Sequence, residues 1–440
     1  MPKRIKPREL AVWANGLRLG VWRLPSRSSM EFQYDDAWLN APEARPLSLS
    51  LPTANTTHRG NAVEAYFDNL LPDSDPIRKR LQERFHTGSR DAFDLLAAIG
   101  RDCVGAVQIL PADETPADTR KIEAKPLTEA QIAAELSGVT TAPARDESAD
   151  FRISIAGAQE KTALLRYNGR WCRPVGSTPT THIFKLPLGL VGNRQADFRT
   201  SVENEWLCAR IVAEYGLPIA SCEMAGFGEQ KALVVQRFDR QLHSSGRYWL
   251  RLMQEDLAQA TGTPWHRKYQ ADGGPGVLAI AKILRGSQES QADLDTLFKS
   301  QVLFWMLAAT DGHAKNFSLR LLPGAQYRLT PLYDVLSAWP VIGRKANEIP
   351  LEKLKMAMSA PGERPHYLWK SIQRRHFEAM GRKLGLGPRT TNVIDGLIAV
   401  TDMVIGKVEA ELPRQFPPSL TERIFAGLRR SAGLLHAASE

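Results

Sequence analysis

The spacing of apolar and polar residues predicts a small mixed domain over positions 1–110. Two apolar stretches within 10–22 flank Asn15-Gly16 and predict a β-hairpin, because Asn-Gly favours the tight turn between antiparallel strands. Leucines alternate with serines over 47–51, which predicts a half-buried strand. Apolar residues at helical spacing predict two helices, over 63–71 and 93–99. No chemistry stands out in this region, and we expect a packing or docking module.

Residues 111–149 are rich in Pro, Ala, Thr, Asp and Glu, which is typical of surface segments. A short helix over 129–136 is predicted behind a cap at Thr128. We therefore expect a linker here, between the first domain and a second one that begins near residue 150.

A loop of small side chains at 154–161 precedes the next predicted strands. A hairpin is predicted over 162–172, with Asn168-Gly169 at its turn. Small side chains let backbone N–H groups approach phosphates closely, which makes the loop a candidate phosphate-binding loop. The loop holds a single glycine and matches neither a Walker A motif nor a kinase glycine loop, so an ordinary surface loop is the alternative.

Two charged residues lie at or near apolar surfaces of predicted elements further along the chain. A strand over 182–186 contains Lys185, and a helix over 201–215 carries Glu205 close to its buried face. Such a lysine is more often an edge residue with a buried stem, but this order also allows the lysine–glutamate ion pair that orients ATP phosphates in kinases. The apolar strand at 232–236 then enters a polar segment, as expected for a hinge beside an adenine ring.

Helical spacing dominates from residue 246 to residue 440. A long helix with a broad apolar stripe over 294–306 leads into T-D-G-H-A-K-N at 310–316, and a short strand at 327–333 precedes Asp334. The later helices are amphipathic and carry two basic clusters: Lys370, Arg374, Arg375, Arg382 and Lys383, and then Arg423, Arg429 and Arg430.

The heptapeptide at 310–316 has the spacing of acid and amide that phosphoryl transfer requires. Asp311 could take a proton from a substrate hydroxyl, while Asn316 and Asp334 could hold Mg²⁺ against nucleotide phosphates. Asp, Gly and Asn are also ordinary turn residues, so a helix end followed by a turn is the alternative.

Composition places the chain among soluble globular proteins, with 43% hydrophobic and 24% charged residues in 440 positions, enough for two or three domains. No apolar run approaches the ~20 residues that span a bilayer, and the basic N-terminus lacks the apolar core of a signal peptide, so we expect a cytoplasmic protein. The four cysteines and nine histidines are scattered, which disfavours zinc sites and disulfides. The net charge of +9 favours a polyanionic partner such as nucleic acid.

The candidate parts follow one another in the order of a protein kinase: small-residue loop, strand lysine, helix glutamate, hinge, long helix, D-x-x-x-x-N and a later aspartate. We therefore predict an α+β fold with an extra N-terminal subdomain and two kinase-like lobes, a mixed one at 150–245 and an all-helical one at 246–440. The signatures H-R-D, D-F-G and A-P-E are missing, and D-x-H-x-x-N is closer to the loop of phosphatidylinositol kinases. A lipid or small-molecule kinase is one alternative, and a scaffold with a vestigial site is another.

Long motifs carry a family resemblance through most of the chain. They are L-S-L-S-L-P at 47–52, F-D-N-L-L-P-D-S at 67–74, I-G-R-D-C-V-G-A-V at 99–107, I-S-I-A-G-A-Q-E-K-T at 153–162, T-H-I-F-K-L-P at 181–187, S-V-E-N-E at 201–205, Q-R-F-D-R at 236–240, D-G-G-P-G at 272–276, A-T-D-G-H-A-K-N at 309–316 and L-T-P-L-Y-D at 329–334. With them the chain resembles the HipA toxins, the serine/threonine kinases of bacterial type II toxin–antitoxin modules. The region 1–110 is then similar to the HipA N-terminal subdomain.

The resemblance implies roles for individual residues. Asp311 is the implied catalytic base, and Asn316 and Asp334 are the implied Mg²⁺ ligands. The implied ATP contacts are Ala156, Gly157, Ala158, Gln159, Glu160, Lys161, Lys185, Gln236, Arg237, Phe238, Asp239 and His313, the last also shaping the loop. Ser154 is the implied autophosphorylation site, and a solvent-facing loop serine is the alternative. A phosphate there would favour cationic partners such as Arg152 over ATP phosphates, so we expect phosphorylation to expel the loop and silence the enzyme.

The resemblance also implies partners. They are Mg²⁺–ATP, a dimeric helix-turn-helix antitoxin similar to HipB, operator DNA bound together with that antitoxin, and glutamyl-tRNA synthetase as protein substrate. Basic residues of the C-terminal helices, Arg382 and Lys383 among them, are candidates for contacts with DNA phosphates. A solvated helix face is the alternative for each of them.

Overall fold

A five-stranded antiparallel sheet forms the N-terminal domain in the computed structural model, which describes residues 8–25, 29–140, 154–157 and 159–437. Its strands are β1 (Arg8–Ala14), β2 (Leu17–Leu24), β3 (Glu31–Tyr34), β4 (Thr57–Arg59) and β5 (Val107–Pro111). They lie in the order β4-β3-β2-β1-β5. The first predicted hairpin is confirmed, since Asn15 and Gly16 have the positive φ angles, 49° and 86°, of the turn between β1 and β2.

Four helices complete this domain: α1 (Asp36–Leu39), α2 (Asn61–Asp68), α3 (Asp75–Phe85) and α4 (Ala92–Ile99). The two predicted helices are confirmed as α2 and α4. The strand predicted over 47–51 is wrong, because this segment folds into a turn in which Leu51 N donates to Ser48 O at 3.0 Å. Leu47 and Leu51 both enter the core from the two ends of the turn, which explains the alternating pattern without a strand.

A six-stranded antiparallel sheet follows, flanked by α5 (Glu129–Thr140) and α6 (Ser201–Glu214). The strands of this region are β6 (Ala124–Pro126), β7 (Lys161–Tyr167), β8 (Arg170–Pro174), β9 (His182–Lys185), β10 (Gly189–Val191), β11 (Ala196–Phe198), β12 (Cys222–Phe227) and β13 (Gln230–Gln236). The sheet order is β12-β13-β9-β7-β8-β6, and β10 pairs with β11 separately. The second predicted hairpin, the strand with Lys185 and the helix with Glu205 are all confirmed, as β7–β8, β9 and α6.

Residues 124–140 form an edge strand of this sheet and a helix that packs on it, although the sequence suggested a linker there. β6 pairs with β8 at the sheet edge, and Ile132 of α5 packs in one apolar cluster with Phe184. The helix begins behind Thr128, whose hydroxyl accepts from Gln131 N at 3.3 Å. Over these positions the chain is therefore folded against the sheet and is not a linker.

The remaining chain contains the helices α7 (Leu257–Ala260), α8 (Val277–Leu284), α9 (Ser290–Met306), α10 (Arg374–Leu384), α11 (Arg389–Ala399), α12 (Thr401–Ala410) and α13 (Pro418–Ala437). Short strands accompany them: β14 (Arg240–Leu242), β15 (Trp249–Arg251), β16 (Gln254–Asp256), β17 (Ser318–Leu321), β18 (Tyr327–Leu329), β19 (Lys355–Ala360) and β20 (His366–Leu368). They form the small antiparallel sheets β14-β15, β16-β17-β18 and β19-β20. The predicted α+β class is confirmed, but the part over 246–440 is not all-helical as predicted, because it also carries small sheets, of which the sequence predicted only β18.

One hydrophobic core extends from the N-terminal domain into the helical region. The segment 251–263 is bonded to the N-terminal domain, because Gln259 Nε2 donates to Tyr66 O at 3.0 Å and Asn69 Nδ2 donates to Thr263 O at 2.9 Å. The first domain is therefore packed on the rest of the protein as one body. Across the residues that the structure describes, no helix combines the length and apolar character needed to cross a membrane.

Candidate active site

Lys185 lies at the centre of a buried charge cluster between the six-stranded sheet and the helical region. Its ammonium contacts Glu205 Oε1 of α6 at 2.5 Å, so the ion pair predicted from the sequence is formed. The same ammonium contacts Asp334 Oδ1. Burial alone would lower the pKa of Lys185, but the Asp334 and Glu205 carboxylates outweigh it and raise that pKa, so the lysine stays charged.

Backbone and side-chain hydrogen bonds fix Asp334 on both sides. Before it, Leu332 exchanges two backbone hydrogen bonds of 2.8 Å with the segment 218–220. After it, Asn204 Nδ2 donates to Ser337 O at 2.8 Å, and Ser337 N donates back to Asn204 Oδ1 at 2.9 Å. Asn204 belongs to α6, so the helix that carries the glutamate and the segment that carries the aspartate are joined directly.

The loop after α9 brings Asp311 and Asn316 together. Asn316 Nδ2 donates to Asp311 O at 2.7 Å, and Asn316 N donates to His313 O at 2.9 Å. A Cβ on Gly312 would lie 2.7 Å from the Phe304 ring, so the loop passes too close to α9 for a larger residue. The Asp311 side chain is 58% exposed and open to a substrate.

Tyr269 and His313 flank the Asp311 carboxylate. The Tyr269 hydroxyl donates to Asp311 Oδ1, and His313 Nε2 lies 3.8 Å from the same oxygen. Burial lowers the pKa of His313 to about 4, so its ring is neutral at pH 7. The Asp311 side chain is exposed and that of His313 is buried, so the carboxylate is the group of this loop that an incoming hydroxyl can reach.

The candidate phosphate-binding loop folds its backbone around Lys161. The Lys161 ammonium donates to Ala156 O. Gly157 has a φ of 112°, and a Cβ there would lie 2.6 Å from Lys161 Nζ, so only glycine leaves room for the lysine. Burial lowers the pKa of Lys161 to about 8 despite the nearby charge of Asp334. The loop thus places a second cation beside Lys185.

Side chains of this loop also hold it to its surroundings. Gln159 Nε2 donates to Leu186 O at 2.5 Å, just after β9. Glu160 forms an ion pair with Arg80 of α3 in the N-terminal domain. The loop is therefore anchored on both the sheet and the first domain.

Ser154 is fully buried at the start of this loop. Its hydroxyl donates to Leu70 O at 2.7 Å, and its N–H donates to Asp102 O at 3.1 Å. The alternative of a solvent-facing serine is therefore wrong. Ala158 and Arg152, both named from the sequence, lie outside the described residues.

Arg237 and Asp239 lie in a buried group that we call the arginine–aspartate cluster, completed by Asp102, Arg240 and Arg251. Asp239 Oδ2 accepts from Arg237 Nη2 at 2.7 Å and from Arg240 Nη1 at 2.9 Å. Asp102 Oδ1 of the N-terminal domain accepts from Arg240 Nη2 at 2.9 Å and from Arg251 Nε at 3.1 Å. The cluster therefore joins the N-terminal domain to the end of β13.

The expected ATP contacts of Arg237 and Asp239 stay predictions. Both side chains are buried and already engaged by cluster partners. Gln236 is exposed, and the half-buried Phe238 has its ring centre 5.8 Å from that of Tyr333. Within this segment, backbone atoms and these two side chains are the groups left to meet an adenine.

No role was predicted from the sequence for several residues near Asp311. Tyr269 is one, and the buried Lys315 is another, with its Nζ 2.9 Å from Asp73 Oδ1 of the N-terminal domain. Lys268 Nζ lies 2.9 Å from the other oxygen of Asp73. No periodic pattern marks Asp73, which follows a proline in a short turn, so its lysine partners become visible only in three dimensions.

Arg382 and Lys383 are exposed in the last turn of α10. Arg374 differs, because it is buried and pairs with Glu378 and Asp395. The other members of the two basic clusters are exposed: Lys370, Arg375, Arg423, Arg429 and Arg430. A basic surface is thus present on these helices, without Arg374.

The cleft residues fit Mg²⁺ and nucleotide phosphates. Asp334 offers a carboxylate, and because the amide nitrogen of Asn316 donates to the backbone, its amide oxygen is left to bind a cation. One carboxylate and one amide, completed by phosphates and water, suit a kinase metal site. Lys161 and Lys185 supply positive charge for the phosphates. The buried His313 Nδ1 has no hydrogen-bond partner among the residues the structure describes.

Two family models match the chain. Residues 10–110 match the HipA N-terminal domain, and residues 153–405 match the HipA-like C-terminal domain. The chain is 33% identical over 344 residues to a protein of Sinorhizobium fredii named as a candidate kinase, Y4mE, covering 77% of this chain and 80% of the relative. It is 28% identical over 305 residues to the serine/threonine-protein kinase toxin HipA of Shewanella oneidensis, covering 66% of each.

A solved structure shares the fold over nearly the whole chain. It is the complex of HipA, HipB and operator DNA from the toxin–antitoxin system of Shewanella oneidensis MR-1, with a TM-score of 0.79 and 22% identity over 97% of each chain. The arrangement predicted from the sequence, an extra N-terminal subdomain before a kinase-like fold, is consistent with this match. By both family matches and the identity to its relatives, the chain belongs to the HipA family.

Proposed function

We propose that this chain is a serine/threonine protein kinase that transfers the γ-phosphoryl group of ATP to a serine of another protein. The observation that carries the proposal is the contact of Lys185 with both Glu205 and Asp334, beside a loop that holds Asp311 and Asn316 together. Phosphoryl transfer needs a phosphate-binding cation, metal ligands and a proton acceptor in one cleft. The names of the relatives support the same reaction class.

In the proposed mechanism, the lysines and metal ligands hold the nucleotide. Lys185, oriented by Glu205, binds phosphate oxygens, and Lys161 adds a second cation that is mostly protonated at pH 7 because its pKa is about 8. Asp334 and Asn316 hold Mg²⁺, which when bound neutralises charge on the phosphates. Most of the catalytic effect is then positioning and charge neutralisation.

The reacting groups meet at Asp311. Its carboxylate accepts the proton of the substrate hydroxyl as the serine oxygen bonds to the γ-phosphorus. The bond from the γ-phosphorus to the bridging oxygen breaks, and its electron pair leaves with ADP. Tyr269 occupies Oδ1 of Asp311, so Oδ2 is the atom that faces an incoming serine. His313 is buried, and a pKa of about 4 makes it a weak base, so the exposed carboxylate is the group that takes the proton.

We further propose that Ser154 is an autophosphorylation site that switches the kinase off. Its hydroxyl is buried against Leu70 O, and a dianionic phosphate cannot be buried there without cationic partners. Phosphorylation would therefore keep the loop out of its docked position, where Gly157 and Lys161 line the cleft. Mass spectrometry should find phosphate on Ser154. Ser154→Asp should lose ATP affinity while Ser154→Ala keeps it, and full activity of Ser154→Asp would contradict the switch.

The proposed assembly includes a HipB-like antitoxin and operator DNA, as in the solved complex from Shewanella oneidensis. The exposed Arg382 and Lys383 would contact DNA phosphates, so the double variant to alanine should weaken operator binding by the antitoxin complex and reduce its dependence on salt. Unchanged affinity and salt dependence would remove these residues from the interface.

Glutamyl-tRNA synthetase is the proposed substrate, tested by phosphate incorporation into the purified synthetase.

Expression of wild type and Asp311→Asn tests the catalytic proposal directly. Wild type should transfer radiolabelled phosphate from Mg²⁺–ATP and slow growth, while the Asp311→Asn protein should fold, bind ATP and do neither. Asp197→Asn, which removes an exposed ion pair with Arg199, is the matched control and should behave as wild type. Equal growth inhibition by wild type and Asp311→Asn would favour a scaffold whose site is vestigial.

A further inference from the structure

Asp73 is a buried carboxylate in the turn between α2 and α3 of the N-terminal domain. Its side chain is 1% exposed, and it contacts two lysines of the helical region. Lys268 Nζ lies 2.9 Å from Asp73 Oδ2, and Lys315 Nζ lies 2.9 Å from Asp73 Oδ1. One carboxylate of the first domain therefore joins two separate segments around the active site.

Both lysines are direct neighbours of active-site residues. Lys315 precedes the metal ligand Asn316, and its ammonium is also held by Asn69 O at 3.1 Å. Lys268 precedes Tyr269, whose hydroxyl donates to the Asp311 carboxylate. Displacing either lysine would therefore displace a residue that touches the reacting groups or orients them.

The same turn also contacts the phosphate-binding loop. The backbone N–H of Asp73 donates to Gly157 O at 3.1 Å, and Pro72 pairs with Gly157 as an isolated bridge. Leu70, three residues earlier, accepts the Ser154 hydroxyl. The turn at 70–73 thus supports the phosphate-binding loop through its backbone and the catalytic loop through one side chain.

The two lysines keep the buried Asp73 carboxylate ionised. Burial disfavours the ionised form of Asp73, but Lys315 and Lys268 outweigh it and lower the pKa of Asp73 to about 2. Asp256 Oδ2 lies 3.9 Å from Lys315 Nζ and adds a second, weaker acid. The carboxylate therefore stays ionised at any pH at which the protein would work.

We propose that Asp73 is a positioning residue for phosphoryl transfer, through which the N-terminal domain holds the catalytic loop and the phosphate-binding loop in register. The inference rests on the proposed kinase function. It gives the N-terminal domain a part in the reaction, through its contacts with Lys268 and Lys315. The expected signature is a loss of transfer rate without an equal loss of nucleotide affinity.

Asp73→Asn tests this, because asparagine has nearly the same shape and keeps the backbone N–H that meets Gly157. With radiolabelled Mg²⁺–ATP and casein as a generic acceptor, we expect kcat to fall at least about tenfold, since small displacements of reacting groups are costly. The Kd for a non-hydrolysable ATP analogue, measured without Mg²⁺, should change by less than about twofold, because Lys161 and Lys185 are untouched. Hydrogen exchange over residues 311–317 should become faster.

The matched control is Asp94→Asn, in α4 of the same domain. Asp94 Oδ1 pairs with Arg8 Nη2, so the control also removes a carboxylate from an ion pair. Among the described residues, this pair has no hydrogen bond to the turn at 70–73 or to the catalytic loop. The kcat of this control and its exchange over residues 311–317 should match wild type. If Asp73→Asn behaves like this control in both measurements, the inference is overturned.

A second variant separates positioning from lost stability. Asp73→Asn combined with Lys268→Gln removes one of the two cations left unpaired, while Lys315 retains Asp256, so the melting temperature should recover. We expect kcat to stay low, because the link to the N-terminal domain is still missing. Recovery of kcat together with stability would overturn the inference. If the wild-type protein transfers no phosphate, the proposed function is overturned. Faster hydrogen exchange of the catalytic loop in Asp73→Asn would still support the contact between Asp73 and that loop.

Discussion

Asp239→Asn distinguishes a structural carboxylate from a nucleotide-binding one. In the arginine–aspartate cluster, Asp239 Oδ2 accepts from Arg237 Nη2 at 2.7 Å, from Arg240 Nη1 at 2.9 Å and from Gly105 N at 2.7 Å. Asparagine keeps one acceptor oxygen, but it removes the charge and turns an NH₂ group towards donors. The fully buried cluster would then hold three guanidinium groups against the single carboxylate of Asp102.

The size of the effect follows from burial. Removing one partner from a buried ion pair costs about 3–5 kcal/mol, and solvent does not screen groups that are at most 6% exposed. An unfolding entropy of about 2.1 cal/mol/K per residue gives about 0.9 kcal/mol/K for the 440-residue chain. The melting temperature should therefore fall by about 3–6 °C if the N-terminal domain and the sheet unfold together.

The assay pairs thermal unfolding with titration of a Mg²⁺–ATP analogue. Asp239→Asn should lower the melting temperature while the Kd of the native fraction changes little. Asp102→Asn belongs to the same cluster but to no motif read as ATP-binding, so it should behave in the same way. Asp197→Asn, on the surface, should change neither quantity. An Asp239→Asn protein with wild-type melting temperature and at least tenfold weaker nucleotide binding would refute the structural assignment.

Two further predictions concern a buried acid and a crowded glycine. Burial raises the pKa of Glu255 to about 8 from 4.5, so the folded state binds this proton more tightly than the unfolded state. Its contribution to the unfolding free energy is present in full below pH 4.5 and lost as the pH rises towards 8. Urea unfolding should show that decline between pH 6 and 8 in wild type and a smaller one in Glu255→Gln, and equal slopes would contradict the assignment. Gly312→Ala should push the catalytic loop away from the Phe304 ring and reduce kcat at least about tenfold. Gly396→Ala in α11, where a Cβ meets nothing within 4 Å, should keep wild-type kcat, and a similar loss in both variants would show that crowding is not the cause.

The sequence was sufficient to predict those elements whose structure depends on neighbouring residues along the chain. Asn15-Gly16 and Asn168-Gly169 specify their hairpins because those two residues accept the positive φ angles that the turns require. Lys185 and Glu205 could be paired in advance because the lysine stands out in an apolar strand and the glutamate lies close to the buried face of the following helix. The family motifs then placed the heptapeptide and Asp334 in one cleft.

Contacts between distant segments could not be predicted in this way. Asp73 meets Lys315 across 242 positions, and Asp102 meets Arg240 across 138, with no periodic signal at either end. The motif at 236–240 illustrates the limit, because its resemblance to a nucleotide-binding segment gave no sign that Asp239 is buried among arginines. The prediction of a strand at 47–51 failed for a related reason, since burial of alternate leucines also fits a tight turn.

The continuous core has a consequence for how the chain is made. The first 110 residues share one apolar core with later parts of the chain, and Tyr66 and Asn69 are hydrogen-bonded to residues 259 and 263. A ribosome adds about 5–20 residues per second, so the first domain waits on the order of ten seconds for this partner segment. These contacts therefore form only after more than half of the chain has been made. During that interval Asp73 has neither of its lysines, and a nascent chain with no finished cleft cannot act on the cell that is making it.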